Sequence, residues 1–252
     1  MKIIIADNYI HLSEIAAGMI TNVILKNPSA VLGLATGTSP IGTYKKLAEY
    51  YGSGLVSFSE VSTVNLDEYV GLDGNNRQSY RYFMNYNLFD QINIDKANTF
   101  VPSGVGDDLN KNCRDYDEIL KNHPRDLQIL GIGGNGHIGF NEPGTPFGSK
   151  THIVDLTERT KRDNSRLFSA DEEVPDKAIT MGIKEICRAK KILLIASGAN
   201  KADAIYKTVC GDVSETCPAS ILQLHNDVTL LLDKESAAKL DEDMIRQMAG
   251  DA

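Results

Sequence analysis

The sequence predicts an α/β fold: one domain built on a mostly parallel, doubly wound sheet, Rossmann-like, with helices on both faces. Three observations lead there. Short apolar runs alternate with longer stretches of helical period, as successive βα units require. The apolar runs mostly lack two-residue alternation, and Ile192–Ala196 is apolar throughout, as a strand covered on both faces is. No linker rich in Pro, Gly and Ser, no repeat and no low-complexity segment divides the 252 residues, so a single unit spanning 1–252 is the simplest organisation.

Each element follows from a local signal. Lys2–Ala6 opens the chain as a strand. Leu12, Ile15, Ala16, Met19, Ile20, Val23 and Ile24 recur at i, i+3 and i+4, the mark of one amphipathic helix. Ser13, with Ala16 and Ala17 after it, forms no capping box, so the start of that helix stays open. Further strands are expected at 30–35, 61–66, 98–101, 127–132, 152–156, 191–196 and 228–232. Helices are expected at 41–51, 109–121 and 200–209. Before the second helix, Ser39 suits an N-cap and Pro40 a first helical position.

Composition narrows the function. A formal net charge of −8 argues against general attraction to nucleic acid or an anionic membrane. It leaves room for a small anion held by a local pair of cations. Hydrophobic residues at 42% suit a large core that needs no staples. Cys113, Cys187, Cys210 and Cys217 form no CxxC pair, so they read as reduced thiols. The first apolar run is too short for a signal peptide, and no run approaches a membrane span. A cytoplasmic location is expected.

Sheets of this kind bind ligands at the carboxyl ends of strands, near the topological switch point. Three clusters fall there. In the first, Leu34-Ala35-Thr36-Gly37-Thr38-Ser39-Pro40-Ile41 joins a strand to a helix. Gly37 permits a tight turn, the helix start offers free N–H groups, and Thr36, Thr38 and Ser39 add hydroxyls, which together suit a phosphate. An ordinary capped turn would look the same, and the Walker ending is missing. In the second, Asn65-Leu66-Asp67-Glu68-Tyr69 sets two acids at a strand end, where a carboxylate serves as a general base or simply sits in water. The third runs from Gly131 to Pro143 and carries His137 and Glu142. Gly131, Gly133 and Gly136, with Asp155 further on, spell a dinucleotide pattern. Gly139, Pro143, Gly144, Pro146 and Gly148 forbid the helix that pattern must open, so that reading is rejected. Backbone folded tightly against a ligand is expected instead, with His137 and Glu142 on the rim; a structural histidine is the plain alternative.

In this order the clusters resemble the glucosamine-6-phosphate deaminase (glucosamine/galactosamine-6-phosphate isomerase) family. Asp67-Glu68-Tyr69-Val70-Gly71-Leu72 and Gly136-His137-Ile138-Gly139-Phe140-Asn141-Glu142-Pro143 carry the resemblance, supported by Asn164-Ser165-Arg166 and Ser220-Ile221-Leu222-Gln223-Leu224-His225. It covers nearly the whole chain. It implies conversion of glucosamine 6-phosphate and water to fructose 6-phosphate and ammonia, without cofactor or metal. By resemblance Asp67 is the base moving a proton between C2 and C1. His137 assists ring opening, Glu142 is its acid–base partner, and Asn135 orients His137. The phosphate would lie on Thr36, Gly37, Thr38 and Ser39, with Arg166 and Lys201 as cations. Arg166 falls on a polar stretch, 157–176, within a mobile lid expected over 157–182.

Two departures stand out. Many members carry Asp where this chain has Asn135. Hexameric members bind an acetylated sugar phosphate through basic residues where this chain has His152 and Val154, which argues for a monomer or small homo-oligomer. Two other functions fit parts of the pattern. A 6-phosphogluconolactonase shares the cradle but not the Asp-Glu-Tyr-Val-Gly-Leu run. A non-catalytic sugar-phosphate sensor would need neither Asp67 nor the His137–Glu142 pair.

Overall fold

A computed structural model describes residues 1–165, 168 and 173–248. The first half of the chain runs β1 (Lys2–Ala6), α1 (Tyr9–Lys26), β2 (Val31–Leu34), α2 (Ile41–Gly52), β3 (Ser62–Asn65), β4 (Asp67–Tyr69), α3 (Tyr80–Asn87), β5 (Thr99–Phe100) and α4 (Leu109–Asn122). The second half runs β6 (Leu127–Leu130), β7 (His152–Asp155), α5 (Glu158–Ser165), β8 (Lys177–Thr180), α6 (Ile183–Ile186), β9 (Ile192–Ala196), α7 (Ala202–Cys210), β10 (Val228–Asp233) and α8 (Glu242–Met248).

Seven strands form one sheet in the order β1-β10-β9-β6-β2-β3-β5, every neighbouring pair parallel. β6, β9 and β10 are buried along their whole length, which the apolar run of β9 and the largely apolar runs of the other two imply. From β2 the chain winds outward to β3 and β5. It then returns to β6 on the other side of β2 and winds the opposite way to β9 and β10. Right-handed crossovers in opposite directions place their helices on opposite faces. The switch point therefore lies between β2 and β6, where Gly33 pairs with Gln128. The open question at α1 is answered by Asn8, whose side chain accepts from His11 N at 3.0 Å. Leu12, Ala16, Ile20 and Ile24 form the buried stripe.

The segment expected as a strand at 152–156 leaves the parallel sheet. It is β7, in a separate three-stranded antiparallel sheet of order β4-β8-β7, with Asp67 opposite Thr180 and His152 also opposite Thr180. The reason is burial: β7 is only half-buried and ends exposed, so it lacks the two covered faces of a parallel strand. Tyr69, Tyr80, Phe140, Leu156 and Ala178 pack beneath this small sheet as a second apolar cluster. Among the described residues no helix is long and apolar enough to cross a membrane.

Candidate active site

A cleft of about 290 Å³ opens over the carboxyl ends of β2, β3, β6 and β9. This is the position that the switch point dictates. Its floor is the turn after β2: Thr36, Gly37, Thr38 and Ser39 all line it. Gly37 has φ 82°, which explains the glycine. Ser39, expected as the cap of α2, makes no capping bond, and Pro40 holds the N-cap position. The cap comes from elsewhere: the Tyr9 hydroxyl accepts from Gly42 N at 2.9 Å and lies 3.0 Å from Thr38 O. That bond fixes the turn without using the hydroxyls that face the cleft.

Asp67 enters from the start of β4 and is buried, with Thr36 Oγ1 donating to Oδ1 at 3.5 Å. Burial, reinforced by the charge of Glu68 and only partly offset by Thr36, pushes its pKa up to about 8. A carboxylate with that proton affinity is a far stronger base than one in water.

The loop after β6 contains no helix between Gly131 and Lys150, so the helix that a dinucleotide site must open is absent, as expected. It doubles back on itself, Gly133 N donating to His137 O at 2.9 Å. A Cβ on Gly133 would lie 2.2 Å from the imidazole, so only glycine lets the ring lie there. Glu142 does not stand on the rim as expected. It is buried behind the ring, Oε2 3.7 Å from His137 Nδ1. Burial would raise its pKa, but His137, Thr160 and Asn135 hold it down to about 2. Both its oxygens accept hydrogen bonds: Asn135 Nδ2 donates to Oε2 at 2.7 Å, and the Thr160 hydroxyl donates to Oε1. Asn135 orients the histidine through the main chain, accepting from His137 N at 3.2 Å, while its amide serves Glu142. An Asp could not donate that second bond.

Lys201 lines the cleft from the turn after β9. Asp233, at the end of β10, holds this turn by accepting from Gly198 N at 3.0 Å. Arg166 lies outside the described residues. The structure adds residues that the sequence did not single out, although two of them fall in the segment expected as a lid. Thr160 and Arg162 reach the cleft from α5, and Tyr80 reaches it from α3. All three come from elements that the strand-end rule ignores. Asn200 also lines the cleft and could have been read from its place beside Lys201.

Comparisons with known proteins agree with this architecture. A family model described as glucosamine-6-phosphate isomerases/6-phosphogluconolactonase matches residues 7–231. The glucosamine-6-phosphate deaminase of Clostridium novyi (strain NT) is 54% identical over 241 residues, 95% of this chain and 100% of that protein. That of Thermoanaerobacter sp. (strain X514) is 52% identical over 246 residues, 97% of each chain. A solved structure of a monomeric glucosamine-6-phosphate deaminase superposes with TM-score 0.92 at 47% identity, covering 94% of this chain and 99% of that one. The 6-phosphogluconolactonase of Trypanosoma cruzi, at TM-score 0.77 and 18% identity over 95% of this chain and 96% of that one, shares the fold. With the family model spanning most of its length and relatives more than half identical, the chain belongs to the glucosamine-6-phosphate isomerase/6-phosphogluconolactonase family.

Proposed function

We propose that the protein is a glucosamine-6-phosphate deaminase, converting glucosamine 6-phosphate and water to fructose 6-phosphate and ammonia. One observation carries the choice within the family: relatives more than 50% identical along the whole chain bear that name, whereas the lactonases share only the fold. The cleft supports it. Hydrolysing a lactone needs no base for a C–H proton, yet a buried carboxylate of raised proton affinity stands in this cleft.

The residues take the following parts. Thr36, Thr38, Ser39 and the backbone at Gly37 receive the phosphate, helped by Lys201 and Arg166. His137 passes a proton to the ring oxygen as the sugar opens, and the anionic Glu142 behind it stabilises the charged ring in that step. Asp67 removes the C2 proton, acidified by the C1 aldehyde, and returns it to C1. The C2 imine then adds water and expels ammonia. The reaction is an isomerisation coupled to deamination rather than a simple hydrolysis. The phosphate, remote from C1 and C2, lends binding energy that holds them against Asp67. In the free enzyme Asp67 must lose a proton of pKa about 8 before it can act, so kcat/KM rises with pH through the neutral range.

The test assays ammonia and fructose 6-phosphate together from glucosamine 6-phosphate, for the unsubstituted protein and for Asp67→Asn. The two products should appear in equal amounts, and the variant should bind phosphate yet lose most turnover. Absence of ammonia would sink the reaction; a fully active Asp67→Asn would sink the assignment of the base.

A further inference from the structure

Next to Asp67 stands an acid that the proposed reaction leaves unused. Successive residues of a strand point to opposite sides. Asp67 faces the cleft, and Glu68 faces the start of α3. Glu68 is 3% exposed. It accepts from three backbone N–H groups: Tyr69 and Tyr80 on Oε1, each at 2.8 Å, and Arg81 on Oε2 at 2.9 Å. Two of these amides are the opening of α3, and the first residue of that helix, Tyr80, forms part of the cleft wall. The Tyr80 hydroxyl donates back to the Tyr69 hydroxyl at 3.3 Å. One side chain therefore joins the strand that carries the base to the helix that walls it, and does so from the side away from the substrate.

We propose that Glu68 is a positioning residue for the reaction: it locks β4 to α3 so that Asp67 is held at the cleft, and its carboxylate charge acts on Asp67 from the side away from the substrate. This rests on Asp67 being the base.

The other groups around Asp67 do not duplicate that charge. Thr36 faces it from the turn after β2 and favours the ionised form. Tyr80 from α3 and Tyr116 from α4 sense its charge, but burial raises both phenols far above neutrality, so they stay uncharged. Glu68 itself is pushed up to about 7 by burial against the opposing pull of its three amides and of Arg81. The Arg81 guanidinium is occupied elsewhere, donating to Thr99 Oγ1 and Thr99 O, each at 2.7 Å. Glu68 is thus the anion acting on Asp67, and removing it lowers the proton affinity of the base.

The test compares the unsubstituted enzyme with Glu68→Gln, Glu68→Asp and Asp67→Asn, following kcat and KM for glucosamine 6-phosphate across the pH range. Glu68→Gln keeps the shape, removes the charge and sets an amide donor against a backbone donor. Its acid limb of kcat/KM should move down by about one pH unit, the size expected for adjacent carboxylates. Its kcat should fall ~10-fold or more with KM changed less than about threefold, because general-base catalysis depends on position and base strength. Glu68→Asp keeps the charge but is too short to reach both oxygens' partners. It should leave the acid limb in place and still lose kcat. An acid limb and kcat unchanged in Glu68→Gln overturn the proposal. If that variant does not fold, normal kcat in Glu68→Asp overturns the positioning role. An active Asp67→Asn overturns the base assignment instead, so the two failures are distinguishable.

Discussion

At His137 the useful chemistry depends on what lies behind the ring. Glu142 is anionic because three neighbours make it so, and Asn135 supplies a donor that a carboxylate could not. Asn135→Asp should therefore set two acids against each other. It is expected to cost about 1–3 kcal/mol at neutral pH, the range for breaking a buried polar contact. Denaturant titration would read this, and the loss should shrink in acid as one of the pair takes a proton. A variant of unchanged stability at neutral pH would mean that the amide is not needed. Native Glu142 has the opposite sign. Its folded pKa of about 2 lies below the unfolded carboxyl value, so its contribution is complete above about pH 4.3 and fades as pH falls toward 2. The phosphate cations give another residue-scale expectation. A charge-assisted contact is worth about 1.5–3 kcal/mol, so Lys201→Ala and Arg166→Ala should each weaken substrate binding by one to two decades, with inorganic phosphate competing. An unchanged KM in both would place the phosphate elsewhere. Asp67, Lys201 and the cradle were readable because each follows a strand, and strand ends converge. The burial of Glu142 was not, since sequence neighbours do not say which side of a glycine loop faces solvent.

Among elements, the parallel strands were legible to within a residue or two because each is a short, largely apolar run between helical stretches. The small antiparallel sheet was not. β4 has three residues and β8 four. Two of the three residues of β4 are acids, which look like a solvated turn until their partners are known. α5 escaped for a related reason: it follows no apolar stripe, yet through Thr160 it reaches Glu142. Where an element does carry a local signal, its energetics can be stated. Asn8 caps α1, and Asn8→Ala should destabilise the protein by ~1 kcal/mol. That is a fall of about 2–4 °C in Tm for a domain of this size. A calorimetric Tm within error of the parent would show that His11 N finds another partner.

For the molecule as a whole, the charge distribution bears on regulation. An activating sugar phosphate needs cations beyond the Asn141-Glu142-Pro143 run, and this chain offers His152 and Val154 on β7. A single exposed lysine, Lys150, makes a poor substitute, since an exposed ion pair is worth only about 0–1 kcal/mol. A ligand without differential affinity cannot shift an equilibrium. Substrate saturation should be hyperbolic and unaltered by N-acetylglucosamine 6-phosphate, apart from competition at high concentration. A sigmoidal curve that this ligand straightens would refute the expectation. The strand order has a further effect, on biosynthesis. Of the strands in this sheet β1 is synthesised before the others, yet its partner is β10, with Lys2 opposite Thr229. At about 5–20 residues per second on the ribosome, β1 stays unpaired for some tens of seconds while nearly the whole chain is made. During that interval α1 can form but has no β9 or β10 to cover. The nascent chain therefore spends most of its synthesis with one edge strand unpartnered, so the sheet closes only as β10 emerges.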